Sequence, residues 1–151
     1  MKFYKGLLLF ILINFSALAI GTWLMNDGPR TEWYINLNQA QWSPSGWVFG
    51  VAWSSIMILF SVYMTFLIQV NRSKKVVLLF SAQFVLNIIW NYLFFNRHLI
   101  NIGLLNIILL TVLMFYFLIA FKNSLKNKRF YVLPYCIWLV LATSLNLYIA
   151  L

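Results

Sequence analysis

The chain has 151 residues, of which 64% are hydrophobic, 19% aromatic and only 9% charged. Soluble domains are about half apolar and about a quarter charged, so this composition excludes an ordinary soluble domain, and the low charge excludes disorder. The formal net charge of +9 comes from short basic clusters between apolar runs, which argues against a nucleic-acid partner. Apolar and polar residues do not alternate with period two, which argues against a membrane β-barrel. The sequence therefore predicts an all-α integral membrane protein in contact with a lipid bilayer.

Windows free of charged residues predict five transmembrane helices, because about 20 apolar residues are needed to cross about 30 Å of hydrocarbon. A small-residue motif at Ala17-Leu18-Ala19 resembles a signal-peptide cleavage site, but the apolar run continues to Met25. The first helix is therefore expected to be retained. The predicted helices form one membrane domain, 1–151, and cover about 6–25, 46–70, 76–95, 99–121 and 131–150.

The only long connection, residues 26–45, joins helices 1 and 2 and contains both acidic residues of the chain, Asp27 and Glu32. Long loops in compact domains are usually functional. Tryptophan is typical of the bilayer edge and of surfaces that stack on flat ligands. Four of the seven tryptophans lie in or just after this loop, more than anchoring alone requires, namely Trp33, Trp42, Trp47 and Trp53.

The distribution of basic residues predicts the orientation of the bundle. An odd number of spans places the N-terminus and the turns between helices 2 and 3 and between helices 4 and 5 on one side. Only Arg30 and Arg97 lie on the other side. Basic residues favour the cytoplasmic side, so the N-terminus is predicted to be cytoplasmic. The nine basic residues of that side are Lys2, Lys5, Arg72, Lys74, Lys75, Lys122, Lys126, Lys128 and Arg129.

Helix 3 carries a polar stripe of Gln83, Asn87 and Asn91 at four-residue spacing, with Trp90 three positions after Asn87. Amides in hydrocarbon are costly unless paired, so this stripe is expected to face the bundle interior. Two interpretations remain open. The amides form interhelical hydrogen bonds, or they line a ligand pocket.

Helix 5 carries Pro134, Trp138, Ala142 and Asn146 on one face, again at four-residue spacing. Trp138, like Trp53 in helix 2, lies deeper than an interfacial anchor. Two deep indoles are expected to provide aromatic walls for a flat apolar molecule. No metal site is expected, because the chain has one histidine, one cysteine and two acids.

The order of these motifs resembles the TspO/MBR family of tryptophan-rich sensory proteins, which includes the translocator protein, or peripheral-type benzodiazepine receptor. The resemblance covers nearly the whole chain. The matching blocks are Trp33-Tyr34-x-x-Leu37, Trp42-Ser43-Pro44, Trp47-Val48-Phe49-Gly50, Trp53, Gln83-x-x-x-Asn87-x-x-Trp90, Phe94-Phe95, Pro134-Tyr135-x-x-Trp138 and Ala142-x-x-Leu145-Asn146.

The resemblance implies a five-helix bundle, often a homodimer, in which the first loop caps a pocket. Family members bind porphyrins, and some bind cholesterol and benzodiazepine-type ligands. Here Ala40 and Ser45 stand where the family often has Pro, and Tyr148 lacks the following basic residue of the family's sterol pattern. Including Gln83 from the polar stripe, the expected ligand-binding residues are Tyr34, Pro44, Trp47, Trp53, Gln83, Asn87, Trp90, Trp138, Ala142 and Leu145.

Three functions follow from these expectations. The first is a membrane receptor or sensor for tetrapyrroles such as protoporphyrin IX, with porphyrin as a ligand and no required cofactor. The second is a light- and oxygen-dependent porphyrin-degrading enzyme with Trp53 and Trp138 as the catalytic electron donors, because some bacterial relatives degrade protoporphyrin in light. The third is a porphyrin or lipid transporter, which ranks last because the spans show no inverted repeat and no coupling-ion site.

Overall fold

The computed structural model describes residues 1–151 and contains five long helices and no β-strand. All five are long and apolar enough to cross a membrane, which confirms the predicted five-helix membrane bundle. The helices are α1 (Phe3–Leu24), α2 (Gly46–Val70), α3 (Lys74–Asn91), α4 (Ile100–Ala120) and α5 (Leu133–Ala150).

The helix ends follow local sequence signals. Helix α3 begins after Ser73, whose Oγ accepts a hydrogen bond from the Val76 backbone N–H at 3.3 Å, as is typical of an N-cap. Helix α5 begins at Leu133 with Pro134 in its first turn, where proline removes no helical hydrogen bond. The connection between α4 and α5 contains a short α-helix, Lys122–Leu125, and a 3₁₀-helix, Lys126–Val132.

A π-helical turn, Tyr92–Asn96, follows α3 where the sequence predicted a regular helix to residue 95. The wider turn brings Phe94 and Phe95 inward, and both are buried. Its last residue, Asn96, donates a hydrogen bond from Nδ2 to the Leu24 carbonyl at 3.0 Å. This bond satisfies a carbonyl at the C-terminus of α1, which has no helical partner.

Two ends of the bundle can be distinguished. The basic end carries the connections between α2 and α3 and between α4 and α5, and the loop end carries residues 26–45. The hydrophobic core lies mainly toward the basic end, where the rings of Phe60, Tyr63 and Phe117 pack at centroid distances of 5.9–6.1 Å. The Tyr63 hydroxyl donates to the Phe117 carbonyl at 2.6 Å, which links α2 to α4.

At the loop end, helix α1 packs closely against α3. A Cβ on Gly21 would lie 2.6 Å from Asn91 Nδ2, so any larger residue here would displace the end of the Asn91 side chain. Helix α2, by contrast, has open space around its first turns, because a Cβ on Gly46 or on Gly50 would meet nothing within 4 Å. The helices are therefore separated at the loop end on the side of α2.

The 26–45 loop is folded against the loop end of the bundle. It contains a 3₁₀ turn, Gly28–Arg30, and a helical turn, Glu32–Ile35. The Trp33 ring stacks on the His98 ring with a centroid distance of 3.9 Å and an angle of 9°. On the other side, Trp42 Nε1 donates to Ser144 Oγ of α5 at 3.1 Å. The loop is thus held at both sides, beside α3 and beside α5.

Candidate functional site

A cavity of about 770 Å³ lies inside the loop end of the bundle. Small-molecule sites usually occupy roughly 300–1,000 Å³, so this cavity is large enough for a sizeable ligand. All five helices, the π-helical turn and the loop contribute to its wall. The lining residues are Leu18, Thr22, Met25, Pro29, Tyr34, Ile35, Gln39, Pro44, Gly46, Phe49, Gly50, Trp53, Ser54, Asn87, Trp90, Asn91, Phe94, Phe95, Ile107, Leu110, Trp138, Leu139, Ala142, Leu145, Asn146 and Ile149.

One wall of the cavity is aromatic and joins α2 to α5. The Trp53 and Trp138 rings lie 6.5 Å apart at an angle of 80°. Phe49 lies 5.4 Å from Trp138, also edge to face. Edge-to-face pairs of this kind fix ring orientation, so the wall is a preformed aromatic surface.

A second aromatic surface lies on α3 and its π-helical turn. Trp90 and Phe94 stack with a centroid distance of 4.9 Å and an angle of 12°. The Trp90 indole N–H donates to Asn146 Oδ1 of α5 at 3.0 Å. Asn146 in turn donates from Nδ2 to the Ile100 carbonyl at 3.2 Å. These bonds hold the Trp90 ring in place, because both groups of the Asn146 amide are used.

A buried chain of hydrogen bonds connects the polar stripe of α3 to α5. Asn87 Nδ2 donates to the Tyr135 hydroxyl at 2.7 Å, and that hydroxyl donates to Gln83 Oε1 at 2.9 Å. Asn87 also lines the cavity. Asn87 therefore bonds to a neighbouring helix, as the first interpretation expects, and also lies on the cavity wall, while its contact with a ligand stays a prediction.

The side of the cavity at α2 has little side-chain cover. Gly46 and Gly50 both line the cavity and are both exposed. Phe49, Trp53 and Ser54 complete this face of α2 at spacings of three and four residues. The first two turns of α2 thus present backbone to the cavity at two positions, which enlarges it.

The loop forms the roof of the cavity through Pro29, Tyr34, Gln39 and Pro44. Gln39 Nε2 donates to the Tyr34 carbonyl at 2.9 Å, and the Tyr34 ring packs 5.3 Å from Phe95. Burial raises the pKa of the Tyr34 phenol above its ordinary value of 10.0. The roof therefore presents Tyr34 as a neutral group at physiological pH.

The structure brings together most residues that the sequence singled out for ligand binding. Those on the cavity wall are Tyr34, Pro44, Trp53, Asn87, Trp90, Trp138, Ala142 and Leu145.

Trp47 and Gln83 do not line the cavity. Trp47 is 72% exposed, because it lies next to Gly46 and is turned away from the face shared by Gly46, Gly50 and Trp53. Gln83 is 1% exposed and lies one turn before Asn87. Its amide oxygen accepts the hydrogen bond from the Tyr135 hydroxyl.

Sequence reasoning missed the contribution of α1 and its C-cap, which line the cavity with Leu18, Thr22 and Met25. These residues share one face at spacings of four and three, but nothing in their chemistry separates them from core residues. In the sequence, Phe94 and Phe95 stand out only as part of a family motif. The π-helical turn that directs them inward has no simple sequence signal.

Comparison with known proteins gives one family. The model of the TspO/MBR family matches residues 9–151. The chain is 30% identical over 115 residues to the "Tryptophan-rich sensory protein" of Cereibacter sphaeroides, which covers 76% of this chain and 73% of the relative. It is also similar to "Protein CrtK" of Rhodobacter capsulatus, with 28% identity over 76% of this chain and 74% of the relative. The "Tryptophan-rich protein TspO" of Chlorobaculum tepidum is 27% identical over 78% of this chain and 77% of its own length.

Proposed function

The chain belongs to the TspO/MBR family, and we propose that it is a membrane receptor or sensor that binds protoporphyrin IX or a similar flat lipophilic ligand in its bundle cavity. One observation carries the proposal: a cavity of about 770 Å³ between two preformed aromatic surfaces, beneath a loop that is held at both sides. The first surface centres on Trp53 and Trp138, and the second on Trp90 and Phe94. A flat ring system matches such walls because aromatic faces and edges attract each other in offset and edge-to-face geometries.

The chemistry of the wall favours a metal-free tetrapyrrole over haem. Haem iron in proteins is held by histidine, by cysteine thiolate, by methionine together with histidine, or by tyrosine. The wall contains Met25 and Tyr34, but Met25 has no histidine beside it on the wall, and burial raises the pKa of the Tyr34 phenol, which disfavours the phenolate that would bind iron. The only histidine, His98, stacks on Trp33 outside the cavity wall. The only cysteine, Cys136, is buried and does not line the cavity either. Binding therefore relies on apolar contact and on the polar groups of α3 and α5.

A titration of the purified protein with protoporphyrin IX, followed by tryptophan fluorescence, tests binding. Trp53→Ala removes a cavity wall, and loss of an aromatic contact worth about 0.5–1.5 kcal/mol beyond area burial weakens affinity by roughly 2- to 12-fold or more. Trp47→Ala is the matched control, because Trp47 lies on the same helix but is 72% exposed and off the cavity wall. Equal losses in the two variants, or quenching that never saturates, would contradict the proposal.

The second candidate, light-dependent porphyrin degradation, is supported by the distance of 6.5 Å between the Trp53 and Trp138 rings on the cavity wall. An excited porphyrin would take one electron from an adjacent indole, and the porphyrin radical anion would then add molecular oxygen across a carbon–carbon bond at a methine bridge. Return of the electron from this adduct to the indole radical cation would restore the tryptophan, and cleavage of the O–O and C–C bonds of the adduct would open the ring to two carbonyl groups. Phenylalanine is much harder to oxidise than tryptophan but keeps an aromatic face.

Measurements on the variants Trp53→Phe and Trp138→Phe distinguish the two candidate functions. For an enzyme, we expect protoporphyrin affinity to fall only modestly in both variants while light-driven loss of the porphyrin absorption bands slows strongly. For a binding protein, we expect no protein-dependent loss of those bands in any variant. Unchanged photodegradation in both variants would remove these two residues from the reaction.

The homodimer implied by the family resemblance is a further prediction, which light scattering of the purified protein tests.

A further inference from the structure

A surface groove of about 340 Å³ lies at the basic end, where the chain passes from α2 into α3. Arg72, Ser73 and Lys74 line it at the turn, and Val77 and Leu78 line it about one helical turn further along α3. Both basic residues and both apolar residues are exposed. None of the five lines the bundle cavity. The groove is therefore a separate surface, positively charged at the membrane edge and apolar toward the hydrocarbon.

The two positive charges of the groove have no partner in the protein. Both acidic residues of the chain lie in the 26–45 loop, at the other end of the bundle. The neighbouring Lys75 is turned toward α4, where its Nζ lies 5.3 Å from the centroid of the Tyr116 ring. Arg72 and Lys74 make no such ring contact and no side-chain hydrogen bond. Their charges are thus available to an anion from outside the chain.

Below the groove, α3 continues as an exposed apolar track through Leu78, Val85 and Ile89, which share one helix face. Ser81 is exposed beside this track, but its hydroxyl donates to the Val77 carbonyl at 2.9 Å, so its O–H is used within the helix. At 1.5 Å per residue, the track from Leu78 to Ile89 is about 16 Å long. This is about half of the hydrocarbon thickness of roughly 30 Å, which is the depth of one leaflet.

We propose that this groove binds an anionic phospholipid, with the phosphate headgroup between Arg72 and Lys74 and an acyl chain along the apolar track of α3. A guanidinium presents a fork of N–H donors that matches two phosphate oxygens, and an ammonium adds a compact second charge. Basic pockets at the ends of membrane helices are typical sites for anionic headgroups. The site is distinct from the cavity and does not depend on the function proposed for it.

Charge favours a lipid anion over a second copy of the chain as the occupant. A two-fold dimer uses the same surface patch on both subunits. A dimer centred on this groove would bring two copies of Arg72 and Lys74 together without an acidic residue between them, and like charges that face each other disfavour binding. A zwitterionic lipid is also a poorer occupant, because its ammonium group adds a positive charge to a site that already has two.

The test measures lipid binding to the purified full chain in an uncharged detergent by native mass spectrometry. The probes are dioleoyl phosphatidylglycerol, which is anionic, and dioleoyl phosphatidylcholine, which has the same acyl chains but no net charge. The quantity compared is the ratio of the phosphatidylcholine to the phosphatidylglycerol dissociation constant. It is measured for the wild-type chain, for Arg72→Gln/Lys74→Gln and for the control Lys75→Gln/Lys122→Gln, whose residues do not line the groove. Both variants lose two positive charges, so a general attraction of anions to the basic end decreases equally in both.

We expect the ratio to fall roughly 30-fold in Arg72→Gln/Lys74→Gln, since one Lys or Arg near anionic lipid contributes about 1 kcal/mol, or about fivefold. The control variant should keep the wild-type ratio. An equal fall in both variants would overturn the proposal, because surface charge alone would then explain the binding. Displacement of phosphatidylglycerol by glycerol phosphate, or its binding to monomers but not to dimers, would also overturn it. The first result would indicate a site for free anions, and the second a groove covered by another copy of the chain.

Discussion

Gly50→Leu changes the cavity without crowding the rest of the fold. Gly50 lies in the second turn of α2, lines the cavity, and has nothing within 4 Å of the position that its Cβ would occupy. A leucine side chain at this position would extend into the cavity without displacing a neighbouring residue. The same change at Gly21 would force Asn91 to move, because its Nδ2 lies 2.6 Å from the added Cβ.

The two effects of Gly50→Leu have opposite signs. Leucine is a better helix former than glycine by up to about 1 kcal/mol, so the thermal stability of the free protein should stay the same or rise. The ligand, by contrast, must share the cavity with four added carbon atoms. Overpacking of a filled site costs about 1–3 kcal/mol, which corresponds to a loss of affinity of roughly 5- to 150-fold. Gly50→Ala adds one carbon atom and should give a smaller loss.

The assay measures protoporphyrin affinity by fluorescence titration and stability by thermal unfolding in the same detergent. Val51→Leu is the matched control, since Val51 is the next residue, is 57% exposed and is off the cavity wall. We expect Val51→Leu to bind like the wild-type chain. If Gly50→Leu bound protoporphyrin as tightly as Val51→Leu, the cavity beside α2 would not be the binding site.

Three further predictions concern the fold. Tyr135→Phe should lower the free energy of unfolding by about 1–3 kcal/mol, because it removes the acceptor for Asn87 and the donor to Gln83, whereas Tyr4→Phe at an exposed position should change nothing in a thermal unfolding measurement. Gly21→Leu should destabilise the fold by about 1–3 kcal/mol through overpacking, whereas Gly21→Ala should cost less because its Cβ displaces only the end of the Asn91 side chain, and equal melting temperatures for the two variants would refute this. Reporter fusions at the two termini should report opposite compartments, with the N-terminus cytoplasmic, and both ends in one compartment would contradict five spans.

The hydrophobicity of the sequence is enough to predict the number and the positions of the five helices. Charge-free windows locate the five helices because lipid excludes unpaired charge along a whole span. The same rule gives no information on the path of the backbone inside a span. The end of α3 shows this limit, since its last turn widens into a π-helix at Tyr92–Asn96. The widening depends on tertiary contacts such as the bond from Asn96 to the Leu24 carbonyl, which span 72 residues.

Some residues of the cavity wall were also predictable, because their side chains are unusual inside a membrane span. Trp53 and Trp138 are conspicuous in sequence because a deep tryptophan is unusual, and Asn87 is conspicuous because an amide in hydrocarbon needs a partner. The placement of Trp47 was not predictable from residue type. One helical position separates it from Gly46, yet Gly46 lines the cavity and Trp47 is turned outward. Whether a residue of α2 points inward or outward depends on which face of the helix borders the cavity, and that face is known only from the structure.

The division of the bundle into a packed end and an open end explains how a small membrane protein can hold a cavity of this size. Without a hydrophobic driving force in lipid, the helices are held together by close packing and hydrogen bonds. Those contacts are dense toward the basic end, where Phe60, Tyr63 and Phe117 pack together and Tyr63 bonds to the α4 backbone. The loop end is held instead by bonds at its edges, such as Trp42 to Ser144. Its interior is therefore free to be shaped by Gly46, Gly50 and Ala142, whose small size leaves room for a ligand.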